Sequence, residues 1–155
     1  MTGNINIALL GAAILHVFEE YGYPGGFSQY LKRRVPALAE YVTPGFSITI
    51  NVLLLFTCVA ATTPLTTPIL KLAVAALLGI NALMHIAGTI QTKRYVPGVI
   101  TAVLLYLPLS VTAFTAAVHA SSTPVVTALQ AIAAGVALQL VPILTLVIAA
   151  AVDRR

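Results

Sequence analysis

Five long apolar runs, separated by short polar connections, dominate the pattern of this chain. They predict helices at about 4–20, 45–61, 69–91, 96–118 and 124–152. A helix needs about 20 apolar residues to cross the ~30 Å hydrocarbon core of a bilayer, and irregular backbone or open strands are penalised in lipid. The sequence therefore predicts an all-α, polytopic membrane protein. We expect one membrane domain over residues 1–155, a bundle of about five transmembrane helices.

Composition supports the same class of protein. Hydrophobic residues make up 59% of the chain and charged residues 8%, whereas soluble domains carry about 25% charged residues. The net charge of +4 comes from a few Lys and Arg in the connections and at the C-terminus. This charge indicates topology and excludes a nucleic-acid-binding role. The single cysteine, Cys58, cannot form a disulfide within the chain.

Apart from Lys71, near the outer end of the third predicted helix, the basic residues lie in alternate connections and at the C-terminus. They are Lys32, Arg33, Arg34, Lys93, Arg94, Arg154 and Arg155. The connections at 62–68 and 120–123 contain no Lys or Arg. The positive-inside rule then places the N-terminus outside and the C-terminus in the cytoplasm after five crossings.

A short segment after the first helix has a different pattern. Pro24, Gly25 and Gly26 form a turn signal, and the aromatic residues Phe27 and Tyr30 are then followed by three consecutive basic residues. Aromatic side chains in the headgroup zone and basic ones toward anionic lipid are typical of interfacial helices. The pattern predicts a short interfacial amphipathic helix.

Ionisable side chains are concentrated at the end of the first helix. Glu19 follows His16 by three residues and Glu20 follows it by four, and both spacings bring side chains onto one helix face. Charged groups at membrane depth are rare and mark functional sites by default. We therefore expect His16 to lie between two carboxylates in a functional site.

Other polar residues are predicted at the same depth. With the topology above and a rise of about 1.5 Å per residue, four more residues fall in the cytoplasmic half of the membrane. They are Asn51, Asn81, His85 and Tyr95. We expect these residues, which come from separate segments, to converge on one pocket with the His and Glu residues of the first helix.

Three chemical interpretations of this pocket remain open. In the first, His16, Glu19, Glu20 and His85 bind a divalent metal, Zn or Fe, since imidazole and carboxylate suit both ions. Glu20, Asn51, Asn81 and Tyr95 are then the candidate catalytic residues. In the second, a desolvated carboxylate beside a histidine transfers protons without a metal. In the third, the network only holds the helices together.

Several short motifs, in this order, resemble the bacterial membrane-protein family named for its HXXEE motif. These motifs are His16-Val17-Phe18-Glu19-Glu20-Tyr21, Pro24-Gly25-Gly26-Phe27, Asn51, Asn81-Ala82-Leu83-Met84-His85 and the stretch from Tyr95 to Ala102. The residues that carry the resemblance are His16, Glu19, Glu20, Asn51, Asn81, His85, Tyr95, Pro97 and Gly98. The family is largely uncharacterised, so the resemblance implies a multi-pass protein of the bacterial cytoplasmic membrane but no reaction. A looser analogy links the chain to the emopamil-binding sterol isomerases.

Together these features predict an intramembrane enzyme that acts on a hydrophobic or lipid-like substrate. Its expected partners are membrane lipid, a hydrophobic small molecule and a second copy of the chain. The alternatives are a metal-free isomerase or cyclase and a non-catalytic binder or transporter of a small amphiphile or cation. Transporters often contain internal repeats, and none is visible here.

Overall fold

A computed structural model describes residues 2–119 and 124–153, and all regular structure in these ranges is helical. The six helices are α1 (Thr2–Gly22), α2 (Gly26–Arg34), α3 (Pro44–Thr62), α4 (Pro68–Thr92), α5 (Val99–His119) and α6 (Val125–Asp153). A 3-10 turn, Pro36–Leu38, follows α2. The predicted all-α class is confirmed. The predicted connection 120–123 and the basic pair Arg154 and Arg155 lie outside the described residues.

Four of these helices, α3 to α6, are long and apolar enough to cross a membrane. The protein is therefore a polytopic membrane protein. Helix α1 is not among the four, and its polar side chains, which include two Asn, one His and two Glu, lower its hydropathy. A fifth crossing by α1 stays a prediction, as do the single-domain assignment and the orientation of the termini.

Two of the apolar helices begin with the same Thr-Pro pair. The Thr43 hydroxyl accepts a hydrogen bond of 3.1 Å from the Phe46 amide at the start of α3. The Thr67 hydroxyl accepts one of 3.3 Å from the Leu70 amide at the start of α4. In each helix a proline follows at the first position, where its missing N–H costs no hydrogen bond. These local signals set where α3 and α4 begin.

Helix α4 lies at the centre of the bundle. In its most apolar 18-residue stretch, 50% is buried inside the protein, whereas the corresponding share is 22% for α3 and 17% for α6. It packs against α1, α3, α5 and α6, most extensively against α6. The main apolar core joins α1, α3, α4 and α5 through Leu9, Ala12, Ala13, Cys58, Ala61, Val74, Ala75, Leu78, Ala82, Ala102 and Tyr106.

Small residues bring α6 close to α4. A Cβ at Gly135 would lie 2.6 Å from the Ala76 Cβ and 2.8 Å from the Leu77 backbone nitrogen. Ala73 and Ala131 are buried in the same contact. Close backbone approach through Gly and Ala is how transmembrane helices gain packing energy without a hydrophobic driving force. The α4–α6 pair thus forms an apolar support on one side of the bundle.

Helix α5 is irregular at its beginning. Gly98 precedes it in the left-handed conformation, with φ of 96°, and Ala102–Tyr106 is π-helical. Pro108 follows closely and has no N–H to donate to the preceding turn. Single π-helical turns occur frequently at functional sites. This one places the start of α5 against α1 and α4.

Candidate functional site

Three buried ionisable side chains meet between α1 and α4. His16, Glu20 and His85 are 1%, 7% and 2% exposed. The Oε1 atom of Glu20 lies 3.5 Å from Nε2 of His16 and 3.5 Å from Nε2 of His85. One potential ligand atom from each residue lies within 4.8 Å of the others. The structure thus brings together residues that are 69 positions apart.

These three groups face one another without full hydrogen bonds. Neither Nε2 atom has a hydrogen-bond partner among the described residues. The second oxygen of Glu20, Oε2, is 3.5 Å from the Asn51 amide, which also donates to the Ser47 carbonyl at 3.1 Å. A buried polar group without a partner costs about 1–3 kcal/mol. The arrangement is therefore unfavourable as a purely structural network.

Two of the three separations match those of ligands on one metal ion, and the three ligand atoms all lie within 4.8 Å of one another. Bonds of about 2.0–2.1 Å in tetrahedral geometry place neighbouring ligand atoms about 3.4 Å apart, and both measured separations from Glu20 Oε1 are 3.5 Å. Two imidazoles and one carboxylate are a common ligand set for catalytic zinc and for non-haem iron. The chemistry and the spacing of these side chains therefore fit a divalent metal.

A hydrogen-bonded chain determines which nitrogen of His16 is free. The Thr101 hydroxyl lies 2.6 Å from Oε2 of Glu19 and 2.8 Å from Nδ1 of His16. An ionised carboxylate only accepts, so the single hydroxyl proton points to Glu19 and Nδ1 of His16 must donate to Thr101. In neutral His16 the lone pair is then on Nε2, toward Glu20 and His85. Partners of this kind orient metal-binding histidines.

Glu19 is directed away from the cluster, to the beginning of α5. Its carboxylate accepts hydrogen bonds from the backbone nitrogens of Ile100 at 2.9 Å and Thr101 at 2.7 Å. The Tyr95 hydroxyl donates a third at 2.6 Å. Burial and this hydrogen bond raise the pKa of Tyr95 to about 12, so Tyr95 stays a donor at neutral pH. A carboxylate at free amides of a helix N-terminus is a stabilising cap.

Aromatic rings and one glycine enclose the histidines. Tyr106 stacks on His16 with ring centroids 4.4 Å apart, and Phe27 of α2 packs on His85 at 4.8 Å. A Cβ on Gly98 would lie 2.6 Å from Cε1 of His16 and 2.7 Å from Cε1 of His85. Only glycine fits there, because its φ is positive and both rings touch it. The Pro97 carbonyl also interacts with the His85 ring, although neither ring nitrogen makes a full hydrogen bond.

The predicted site residues fall into distinct positions. Asn51 lies beside Glu20, whereas Tyr95 contacts Glu19 on the other side of His16. Asn81 lies one turn before His85 on α4, and its buried Oδ1 has no hydrogen-bond partner among the described residues. Glu19 as a metal ligand and the catalytic roles of these residues stay predictions.

Sequence reasoning did not assign three further contacts. Thr101, Phe27 and Tyr106 touch the histidines directly. Thr101 and Phe27 lie inside the motifs quoted above, so their proximity had a sequence signal. Tyr106 follows Thr101 by five residues, which is one too many for a regular helix face. The π-helical turn brings it back to His16, and no periodicity predicts that turn.

A cleft of about 310 Å³ adjoins the cluster. It lies between the end of α1, helix α2 and the first two turns of α3. Glu20 and Asn51 line it, together with apolar and aromatic side chains and one cation, Lys32. Of the three clustered residues, Glu20 alone lines the cleft. A molecule in this cleft would therefore meet the cluster at Glu20.

Comparison with known proteins assigns the chain to a family. The model of one family, described as a protein of unknown function with HXXEE motif, matches residues 7–113. That range contains the whole cluster, the Glu19 cap and the π-helical turn of α5. No curated protein and no solved structure matches the chain. The match covers more than half of the chain and confirms the resemblance: the protein belongs to the HXXEE-motif family.

Proposed function

We propose that His16, Glu20 and His85 bind a divalent transition metal, Zn or Fe, and that the protein is an intramembrane enzyme for a lipid-like substrate. One observation carries the proposal. Two buried Nε2 atoms without hydrogen bonds face one carboxylate oxygen, each at 3.5 Å. A shared cation would satisfy all three groups at once.

The number of protein ligands favours catalysis over a structural metal. Structural zinc sites use four protein ligands, whereas catalytic sites use three and keep one position for water or substrate. A bound ion of this kind supplies Lewis-acid polarisation of a substrate oxygen, or a water of lowered pKa. Glu20 lines the cleft, so a substrate bound there would lie next to one of the three ligands.

The surrounding residues have separate tasks in this proposal. Thr101 holds the His16 ring with Nε2 toward the cluster. The Asn51 amide faces the second oxygen of Glu20 and orients the carboxylate. Tyr106 and Phe27 cover the two imidazole rings and exclude water. Asn81, one turn from His85, has a buried carbonyl oxygen without a partner among the described residues, and this oxygen would accept a hydrogen bond from a substrate or a bound water.

Metal-free proton transfer is the second candidate, and one observation favours it. Glu20 lines the cleft, and its Oε1 atom faces two imidazoles. A carboxylate between a substrate and two histidines is also suited to general acid–base chemistry. In this version Glu20 transfers the proton, and the two histidines stabilise its negative charge. The metal content of the protein separates the two candidates.

The test is metal analysis of the full chain, purified without chelators. We expect about one Zn or Fe per chain, and loss of that metal in His85→Ala because two ligands rarely retain an ion. The matched control is His119→Ala, since His119 is exposed at the far end of α5. Its metal content should equal that of the wild type.

Two results would contradict the metal proposal. One is wild-type protein that contains no stoichiometric metal and binds none after addition of Zn²⁺ or Fe²⁺. The other is a His85→Ala variant that keeps the metal. A thermal unfolding measurement on each variant shows whether a loss of metal is only a loss of fold.

The bacterial cytoplasmic membrane as the location, and pairing with a second copy, remain part of this proposal.

A further inference from the structure

The cleft beside Glu20 has the size of a small-molecule site. Its volume of about 310 Å³ is at the lower end of the range for ligand pockets. It is enclosed by Tyr21 and Tyr23 after the cluster, by Phe27 and Leu31 of α2, and by the beginning of α3. These walls belong to three different helical segments, so the cleft is a product of tertiary packing.

The lining of the cleft is amphipathic. Phe46 and Ile50 of α3 give it an apolar wall, and Lys32 of α2 provides a positive charge. Lys32 is exposed and forms no ion pair with any residue in the described ranges. A cation without a protein partner, beside an apolar wall, is complementary to an anionic group attached to an apolar chain.

The cleft also adjoins the outer face of the bundle. Ile48 lines it and is 55% exposed, and α3, on which it lies, is one of the four helices suited to cross a membrane. An apolar chain that leaves the cleft past Ile48 would enter lipid directly. A substrate would need no passage through water.

We propose that this cleft binds a membrane amphiphile with an anionic headgroup, held at Lys32, with its chain leaving past Ile48. This inference rests on the proposed function, because it assigns the substrate class of the same centre. Lys32 and Glu20 line one small cleft, so the bond presented to Glu20 is one close to the headgroup. The substrate is an anionic lipid-like molecule that reacts at its polar end.

The test uses two probes with the same chain and different headgroups, dodecyl phosphate and dodecylphosphocholine. Binding of each to the full chain in a non-ionic detergent is measured by native mass spectrometry, after metal has been removed with a chelator. We expect the wild type to prefer the phosphate by about tenfold, the scale of one charge-assisted contact. Lys32→Ala should remove the preference.

Two further variants serve as controls, one for the loss of a nearby positive charge and one for the position of the bound probe. Arg33→Ala removes the neighbouring charge, which does not line the cleft, and should keep the preference. Ile48→Trp adds bulk at the exposed side of the cleft and should weaken binding of both probes. Equal binding of the two probes to the wild type, or an equal loss in Arg33→Ala and Lys32→Ala, would overturn the inference.

Metal content distinguishes a failure of this inference from a failure of the metal proposal. Lys32→Ala should contain as much metal as the wild type, because Lys32 is not a ligand. If the protein binds no metal but Lys32 still selects the phosphate, the cleft inference stands and the metal proposal is wrong. If the protein binds metal but does not select the phosphate headgroup, the metal proposal stands and the cleft inference is wrong.

Discussion

Glu19 and Glu20 are neighbours in the sequence, yet they lie in two very different surroundings. Glu19 accepts hydrogen bonds from two backbone amides, one tyrosine and one threonine, all between 2.6 and 2.9 Å. Glu20 is more deeply buried, and its polar contacts within the described part of the chain are all at 3.5 Å, to two imidazoles and one amide. The first carboxylate is fully satisfied by the fold, and the second is not.

Helix geometry explains how adjacent residues reach opposite sides. At about 100° per residue, Glu19 lies about 60° to one side of His16 and Glu20 about 40° to the other. Glu19 thus faces the start of α5, and Glu20 faces His85 and the cleft. One carboxylate of the motif is thus fully hydrogen-bonded within the fold, while the other is left available for a ligand.

Of the substitutions that test this difference, Glu20→Gln should have the largest effect. We expect metal affinity to fall by more than about 100-fold. Loss of a hydrogen-bond partner of a ligand already costs about 10–100-fold in affinity, and loss of the ligand itself should cost more. Unfolding of the metal-free protein should change by less than about 1 kcal/mol, since Glu20 makes no short hydrogen bond. Metal analysis and thermal unfolding measure the two quantities. A variant that retains its metal would show that Glu20 is not a ligand.

Glu19→Ala should have the reverse profile. Four hydrogen bonds are lost, two of them to the N-terminus of α5, and we expect the unfolding free energy to fall by about 2–3 kcal/mol. Reversible unfolding in detergent measures this loss. Glu40→Ala, at an exposed carboxylate, is the control and should cost less than about 0.5 kcal/mol. Equal stability of the two variants would refute the capping role.

Thr101→Val should have a smaller effect on metal binding. Thr101 connects the carboxylate of Glu19 to His16, which faces Glu20. Without the hydroxyl, Nδ1 of His16 loses its acceptor and the ring is no longer held with Nε2 toward Glu20. We expect metal affinity to fall about 10–100-fold. Thr101→Ser keeps the hydroxyl and should restore binding, as measured by competition with a metal-sensitive dye. If Val and Ser variants bind equally, the hydroxyl does not orient His16.

Tyr95→Phe should have the smallest effect. It removes one of the hydrogen bonds to Glu19 and should lower the unfolding free energy by about 1 kcal/mol, with no change in metal affinity. Tyr23→Phe is the matched control, because Tyr23 packs against Tyr95 at 5.0 Å and its hydroxyl makes no hydrogen bond with a described residue. A change in metal affinity in Tyr95→Phe would place it in the metal site instead.

The fold class followed from the sequence because its cause is local. Apolar runs of membrane length require helices, and the Thr-Pro pairs before α3 and α4 determine where those helices begin. The first helix was harder to classify, because its polar residues lower the hydropathy that identifies a crossing. Family membership also followed from short motifs that are local in the sequence.

The candidate site was predictable only in part. The spacing of His16 and Glu20 and the shared depth of His85 indicated one pocket, and the structure brings these three residues together. The same spacing could not separate the tasks of Glu19 and Glu20, since that depends on which helix packs on each side. The stacking of Tyr106 on His16 depends on a π-helical turn, which has no periodic signal in the sequence.

That π-helical turn also determines which changes of chain length α5 can accept. It holds one residue more than an α-helical turn would, so deletion of a single residue within 102–105 would restore regular winding. Thr101 and Tyr106 would then be four residues apart, a spacing that keeps both side chains on one helix face toward His16. Insertion of one residue would instead place them six apart, about 120° from each other around a regular helix. Single-residue insertions here should therefore be more harmful than single-residue deletions.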